Sequence, residues 1–245
     1  MRVIWRSSLL LVFVLSALIV FEARFPWLDS LTVHEPRPMR SLVGRLALRE
    51  YGPGDADLDR VLRIDPRNTL AWERRCTAFL GPTQADWVSD CQHALKLEAS
   101  GANYRLVGAA QEQAGQYCAA EDSYRTAVVQ PDMMGQRPVV LRDAARAALN
   151  CDDPAASLSL LHSAEQLDET SAGIAAAPEE SQRARDGLAS DHGYMSVVYQ
   201  KMNQPEKARQ MCFEANPGYA DCACQLTGNG LVCTPAATPT LVSAR

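Results

Sequence analysis

The residues with the most chemical capacity in this 245-residue chain are eight cysteines: Cys76, Cys91, Cys118, Cys151, Cys212, Cys222, Cys224 and Cys233. An even number of cysteines behind an apolar N-terminal run fits pairing into disulfides in an oxidising compartment. The competing reading is a set of buried free thiols that serve as small hydrophobes. The last four crowd into one stretch and raise the question of zinc, but the single residue between Cys222 and Cys224 is tighter than the usual ligand spacing. Four histidines, His34, His93, His162 and His192, are scattered, and none stands at ligand spacing from another. Asp191-His192-Gly193-Tyr194 sets an acid beside an imidazole, yet it reads as a loop or a helix start. Asp152-Asp153-Pro154 is a turn, and the alternating acids that follow Gly54 lack the rest of a calcium loop. Phosphate-binding, dinucleotide and nucleophile-elbow motifs are absent from the sequence. No catalytic residue, cofactor or metal ligand is expected, and the chain reads as a binder rather than an enzyme.

The elements that carry these residues begin with an apolar run. Arg2 and Arg6 precede Leu9–Phe21, a stretch short for a membrane span but extendable through Val3, Ile4 and Trp5. Small residues suited to cleavage are poorly placed, so an uncleaved anchor fits better than a cleaved signal peptide. In either case the positive flank stays cytoplasmic and the bulk of the chain lies on the other side, periplasmic or secreted. The expected organisation is a signal anchor or signal peptide at 1–24, a proline-rich linker at 25–40, helical repeats at 41–217, and a Cys-rich hairpin with a tail at 218–245. A net charge of −5 argues against nucleic acid, which requires a basic face.

From about residue 40 the pattern is helical, broken every dozen or more residues by turn signals. In Gly101–Pro131, small residues fall at Gly108, Ala120 and Ala127, Gly115 separates two helical segments, and Pro131 closes the second. Tyr104, Val107, Gly108 and Gln111, followed by Ala120, Tyr124, Ala127 and Pro131, stand at the spacing of the tetratricopeptide repeat (TPR), which this stretch resembles. Residues 69–99, 138–168 and 189–217 repeat the pattern more loosely. A degenerate first copy pairs Leu42–Arg49 with Gly54–Pro66. The fold class is therefore all-α, a TPR-like solenoid of helical hairpins. Pro178, with Glu179 and Glu180, signals an extra helix or a lengthened first helix ahead of the last hairpin.

The resemblance also positions the cysteines. Cys76 and Cys91 fall on facing helices of one hairpin, and Cys118 and Cys151 fall at one edge of successive hairpins. In the tail, a two-residue turn at Gly228-Asn229 sets Cys224 opposite Cys233, which leaves Cys222 for Cys212. The first helices of such repeats line a groove, and by position the resemblance implies partner contacts at Glu73, Thr77, Arg105, Glu112, Arg142, Arg146, Gln200 and Lys201. Arg105, Arg142 and Arg146 would form a basic stripe for carboxylates of a peptide or an anionic polymer; the competing reading is a solvated polar face. The implied role is a membrane-tethered scaffold or assembly factor for a protein or peptide partner in the envelope or secretory compartment. The alternative is a periplasmic protein that binds carbohydrate or a small ligand.

Overall fold

The computed structural model describes residues 55–78, 87–217, 222–227 and 230–235. These fall into two compact units, one within Met1–Ala99 and one within Ser100–Arg245. The predicted anchor, the linker, the Leu42–Arg49 helix and the tail beyond the hairpin lie outside the described residues. Among the described residues no helix is long and apolar enough to cross a membrane.

The first unit contains α1 (Asp55–Ile64), α2 (Thr69–Ala78) and α3 (Trp87–Leu97). Leu58, Val61 and Leu62 of α1 bury against Ala71, with Trp72 packed at their edge. Asn68 caps α2, its Oδ1 accepting the Ala71 amide at 3.1 Å. This hairpin has Arg75 and Cys76 where the repeat pattern calls for Leu and Gly. Stronger bonds replace the missing small-residue contact. Arg75 donates to Asp90 on α3 at 2.5 Å and to Asp59 on α1 at 2.6 Å, tying three helices together. Cys76 is bonded to Cys91 across the hairpin.

The second unit contains α4 (Gly101–Gln113), α5 (Tyr117–Val128), a 3-10 turn at Pro131–Gln136, α6 (Arg137–Asn150), α7 (Pro154–Ile174), α8 (Pro178–Lys201) and α9 (Pro205–Ala215). A two-stranded hairpin of β1 (Cys222–Thr227) and β2 (Gly230–Pro235) completes it. Each helix packs on the next, α6 also meets α8, and β1 lies against α8 and α9.

The three hairpins turn in the same way. Gly115, Asp152 and Asn203 have φ of 73°, 69° and 55°. At each, the following amide reaches back five residues: Gln116 to Gln111 at 2.8 Å, Asp153 to Ala148 at 2.9 Å and Gln204 to Tyr199 at 2.8 Å. A left-handed residue with this backward bond satisfies the last carbonyls of a helix, which is why Gly, Asp and Asn stand there. Pro154 and Pro205 then open the next helices, where a missing N–H is harmless.

Small residues set the hairpin spacing. A Cβ on Gly108 would lie 2.8 Å from the Tyr124 ring, so only glycine lets that buried tyrosine cross α4. The core continues through Ala144, Ala145 and Ala148 of α6, Leu161 and Ala164 of α7, and Met195 and Val198 of α8. Buried serines bridge the same faces: Ser157 donates to the Ala145 carbonyl at 2.8 Å, and Ser196 to that of Ala208 at 2.7 Å.

Two features go beyond the simple repeat. The helix signalled by Pro178 lengthens α8 to 24 residues, and α7 extends to 21. The 3-10 turn was not expected. Its Asp132 accepts the amides of Gly101 and Ala102 at 3.0 and 3.1 Å, capping α4, and those two bonds hold its carboxyl below the ordinary range.

All four disulfides join the expected partners: Cys76–Cys91, Cys118–Cys151, Cys212–Cys222 and Cys224–Cys233. The hairpin register also agrees, with Cys224 opposite Cys233 and Thr227 opposite Gly230.

Candidate functional site

The expected basic stripe differs from what the structure contains. Glu73 and Thr77 lie on α2 in the first unit, where Thr77 is exposed and its hydroxyl donates to the Arg74 carbonyl at 3.0 Å. The other six residues lie in the second unit and are bonded within the chain. Arg105 donates to Asp143 at 3.0 Å and to Gln136 at 3.2 Å. Arg146 grips Glu112 with two bonds of 2.6 and 2.8 Å and reaches Asp143 at 3.2 Å. Glu112 also accepts the Tyr124 hydroxyl at 3.1 Å. Gln200 donates to the Cys224 carbonyl at 3.1 Å and pins β1 to α8. Lys201 donates to the Leu149 carbonyl at 2.7 Å, capping α6, and pairs with Asp152 at 2.9 Å. The helix period brings arginines of one hairpin opposite carboxylates of its neighbours, so the row of positive charge is neutralised internally.

Arg142 is the least exposed of the three arginines. It donates to Asp191 at 2.7 Å and pairs with Asp168, joining α6, α7 and α8. Asp191 has no exposed surface. Asp191 and His192, expected in a loop or at a helix start, instead sit in the body of α8, because the helix begins at Pro178. Burial pushes the Asp191 carboxyl up to about 7, the Arg142 bond opposing and the nearby Asp168 and Glu165 charges adding to the rise. Burial raises Asp168 in the same direction, again against Arg142. A Cβ on Gly187 would overlap Asp168 and Arg142, so this glycine makes room for the network. Beside it, Glu165 accepts His162 at 3.0 Å and His192 at 2.9 Å. Burial alone would raise Glu165, but those two bonds hold it below the ordinary range.

Above this network a groove of about 610 Å³ opens between the 3-10 turn, α6, α7 and the start of α8. Its floor carries Arg142 and Asp168, its walls Val139, Leu167 and Ala184, and its rim Glu180 and Arg183. Three apolar residues of the lining are exposed: Ile174 by 79%, Met134 by 68% and Val139 by 42%. Large apolar side chains grouped around a concavity mark a binding surface more often than single ones do. This groove has no motif of its own in the sequence. It exists because α7 runs on to Ile174 and α8 starts early, and the only trace in sequence was Pro178 with its two glutamates.

At the hairpin end, the Cys212, Cys224 and Cys233 sulfurs lie within 4.8 Å of one another. Paired in disulfides they carry no thiolate, the form in which cysteine holds a metal.

Two crystal structures of MamA, a TPR-repeat protein, superpose on this chain at 12% sequence identity. One covers 65% of this chain and 83% of MamA with a TM-score of 0.51. The other covers 73% and 89% with a TM-score of 0.52. The fold is TPR-like. A structure of Pseudomonas aeruginosa PilF aligns at 16% identity over 76% of this chain and 77% of its own, with a TM-score of 0.49. At 12% identity the likeness to MamA is one of fold. No protein-family model matches the sequence, and a search of curated proteins finds no match.

Proposed function

We propose that this chain is a non-enzymatic scaffold, tethered by its N-terminus on the outer side of a membrane, that binds a segment of a partner protein in the α6–α7–α8 groove. The observation that carries this reading is the exposed apolar set of Met134, Val139 and Ile174 around a concavity whose floor carries the Arg142–Asp168 ion pair. The walls offer burial for apolar side chains of the incoming segment. The mixed charges of Glu180 and Arg183 at the rim can orient its polar flanks. Four disulfides and the apolar run before residue 24 support the extracytoplasmic placement. The groove lining contains no aromatic side chain, which counts against stacking of a sugar ring.

The test compares full-length chain with a Val139→Glu/Ile174→Glu variant, each captured from native membranes in mild detergent. Both positions are surface-accessible, so folding should survive, as circular dichroism would check. A stoichiometric partner retained by the parent and lost from the folded variant is expected. Equal recovery with both would overturn the groove assignment.

A further inference from the structure

The C-terminal hairpin places two disulfides against each other. Cys224 Sγ lies 3.1 Å from Cys212 Sγ, although each is bonded to a different partner. Cys212 and Cys224 have no exposed surface and Cys222 only 6%, whereas Cys233 is partly open to solvent. Val197 and Leu231 pack around the group and give it an apolar shell. The other two disulfides differ. Cys76–Cys91 is buried, Cys118–Cys151 is accessible through exposed Cys118, and neither belongs to a sulfur cluster of this kind among the described residues.

We infer that the four sulfurs form a thiol–disulfide exchange relay, entered at Cys233, that accepts two electrons from an external dithiol and re-pairs internally to Cys212–Cys224. A thiolate of the dithiol attacks Cys233 Sγ, forms a mixed disulfide and breaks the Cys224–Cys233 bond, so that Cys224 leaves as a thiolate. An apolar shell disfavours that buried charge, and the neighbouring Cys212 sulfur offers a way to discharge it. Cys224 attacks Cys212, the Cys212–Cys224 bond forms, the Cys212–Cys222 bond breaks, and Cys222 leaves and takes up a proton. The second thiol of the dithiol then attacks the mixed disulfide, closes the reductant to its own disulfide and releases Cys233, which is protonated. The dithiol has lost two electrons and two protons, and the hairpin has gained a thiol at Cys222 and another at Cys233. The product keeps β1 tied to α9 through Cys212–Cys224 but frees β2 from its bond to β1. Leu231 of β2, which sits over Gly193 of α8, is then held by packing and the β1–β2 backbone ladder, with no covalent bond to β1. The same hairpin therefore exists in two covalent states, set by the dithiol supply.

The full chain is treated with a graded, limiting amount of dithiothreitol, quenched with a thiol-alkylating reagent, and its disulfides are mapped by mass spectrometry. The expected two-electron-reduced hairpin carries label on Cys222 and Cys233 and a Cys212–Cys224 bond. Cys118–Cys151 is the internal control and opens to two labelled thiols at its own positions. Label on Cys224 and Cys233 with Cys212–Cys222 intact would overturn the relay, as would label on Cys212 and Cys222 with Cys224–Cys233 intact. Cys233→Ser gives a second reading by leaving Cys224 unpartnered. Re-pairing to Cys212–Cys224 with label on Cys222 is expected, and label confined to Cys224 contradicts the proposal.

Discussion

Asp191→Asn tests the energetics of the buried network most directly. The Asp191 carboxyl moves from an ordinary value of 3.8 to about 7 on folding, because it is removed from water more than Arg142 compensates. Between those two values the folded chain holds a proton that the unfolded chain has released, so unfolding free energy falls as pH rises through the window. The displacement is about three pH units, and each unit is worth about 1.4 kcal/mol, so ionisable Asp191 lowers stability by up to about 4 kcal/mol at pH 8 and by almost nothing below pH 4. Asparagine keeps the shape, can still accept from Arg142 and carries no charge. The variant should therefore match or slightly trail the parent at pH 4.5 and exceed it by roughly 2–4 kcal/mol at pH 8. Subtracting the two chains at each pH removes the other titrating groups. Urea unfolding followed by circular dichroism is the suitable assay, since all four tryptophans, at positions 5, 27, 72 and 87, precede the second unit. A variant that is equally destabilised at pH 5 and pH 8 would refute the reasoning. It would mean that Asp191 is ionised throughout and that its bond to Arg142 outweighs its burial.

Two further outcomes follow from the hairpin packing. Gly108→Leu would drive a side chain into the Tyr124 ring, where even a Cβ would lie at 2.8 Å, and should lower stability by about 2–3 kcal/mol or more in urea titrations; an unchanged midpoint would contradict the close crossing of α4 and α5. Replacing Cys118 and Cys151 together by serine removes a crosslink spanning 33 residues and should cost about 4 kcal/mol by loop-closure entropy; a loss below about 1 kcal/mol would show that the unfolded chain is little constrained by it.

The local rules of the fold are legible in the residues. Gly115, Asp152 and Asn203 mark the three turns because each must adopt or tolerate a left-handed backbone. Pro154, Pro178 and Pro205 open helices because each lacks an amide hydrogen that the first turn does not use. Gly108 and Ala120 announce a close crossing. The disulfide partners followed from the TPR-like resemblance and the two-residue turn, with Cys212–Cys222 as the pair that remained. What sequence left open was the use of side chains on the faces. Arg105, Arg142 and Arg146 look like a positive row when read along the chain. Their partners Asp143, Glu112, Asp168 and Asp191 come from other turns and helices, and only packing decides whether an arginine faces solvent or a carboxylate. The groove has the same origin. Met134, Val139 and Ile174 are unremarkable apolar residues until α7 and α8 overrun the repeat length and set them around one concavity. Local periodicity determines elements and turns because it acts within a few residues. Charge pairing, depth and surface shape depend on which distant elements meet, and tertiary structure alone decided them here.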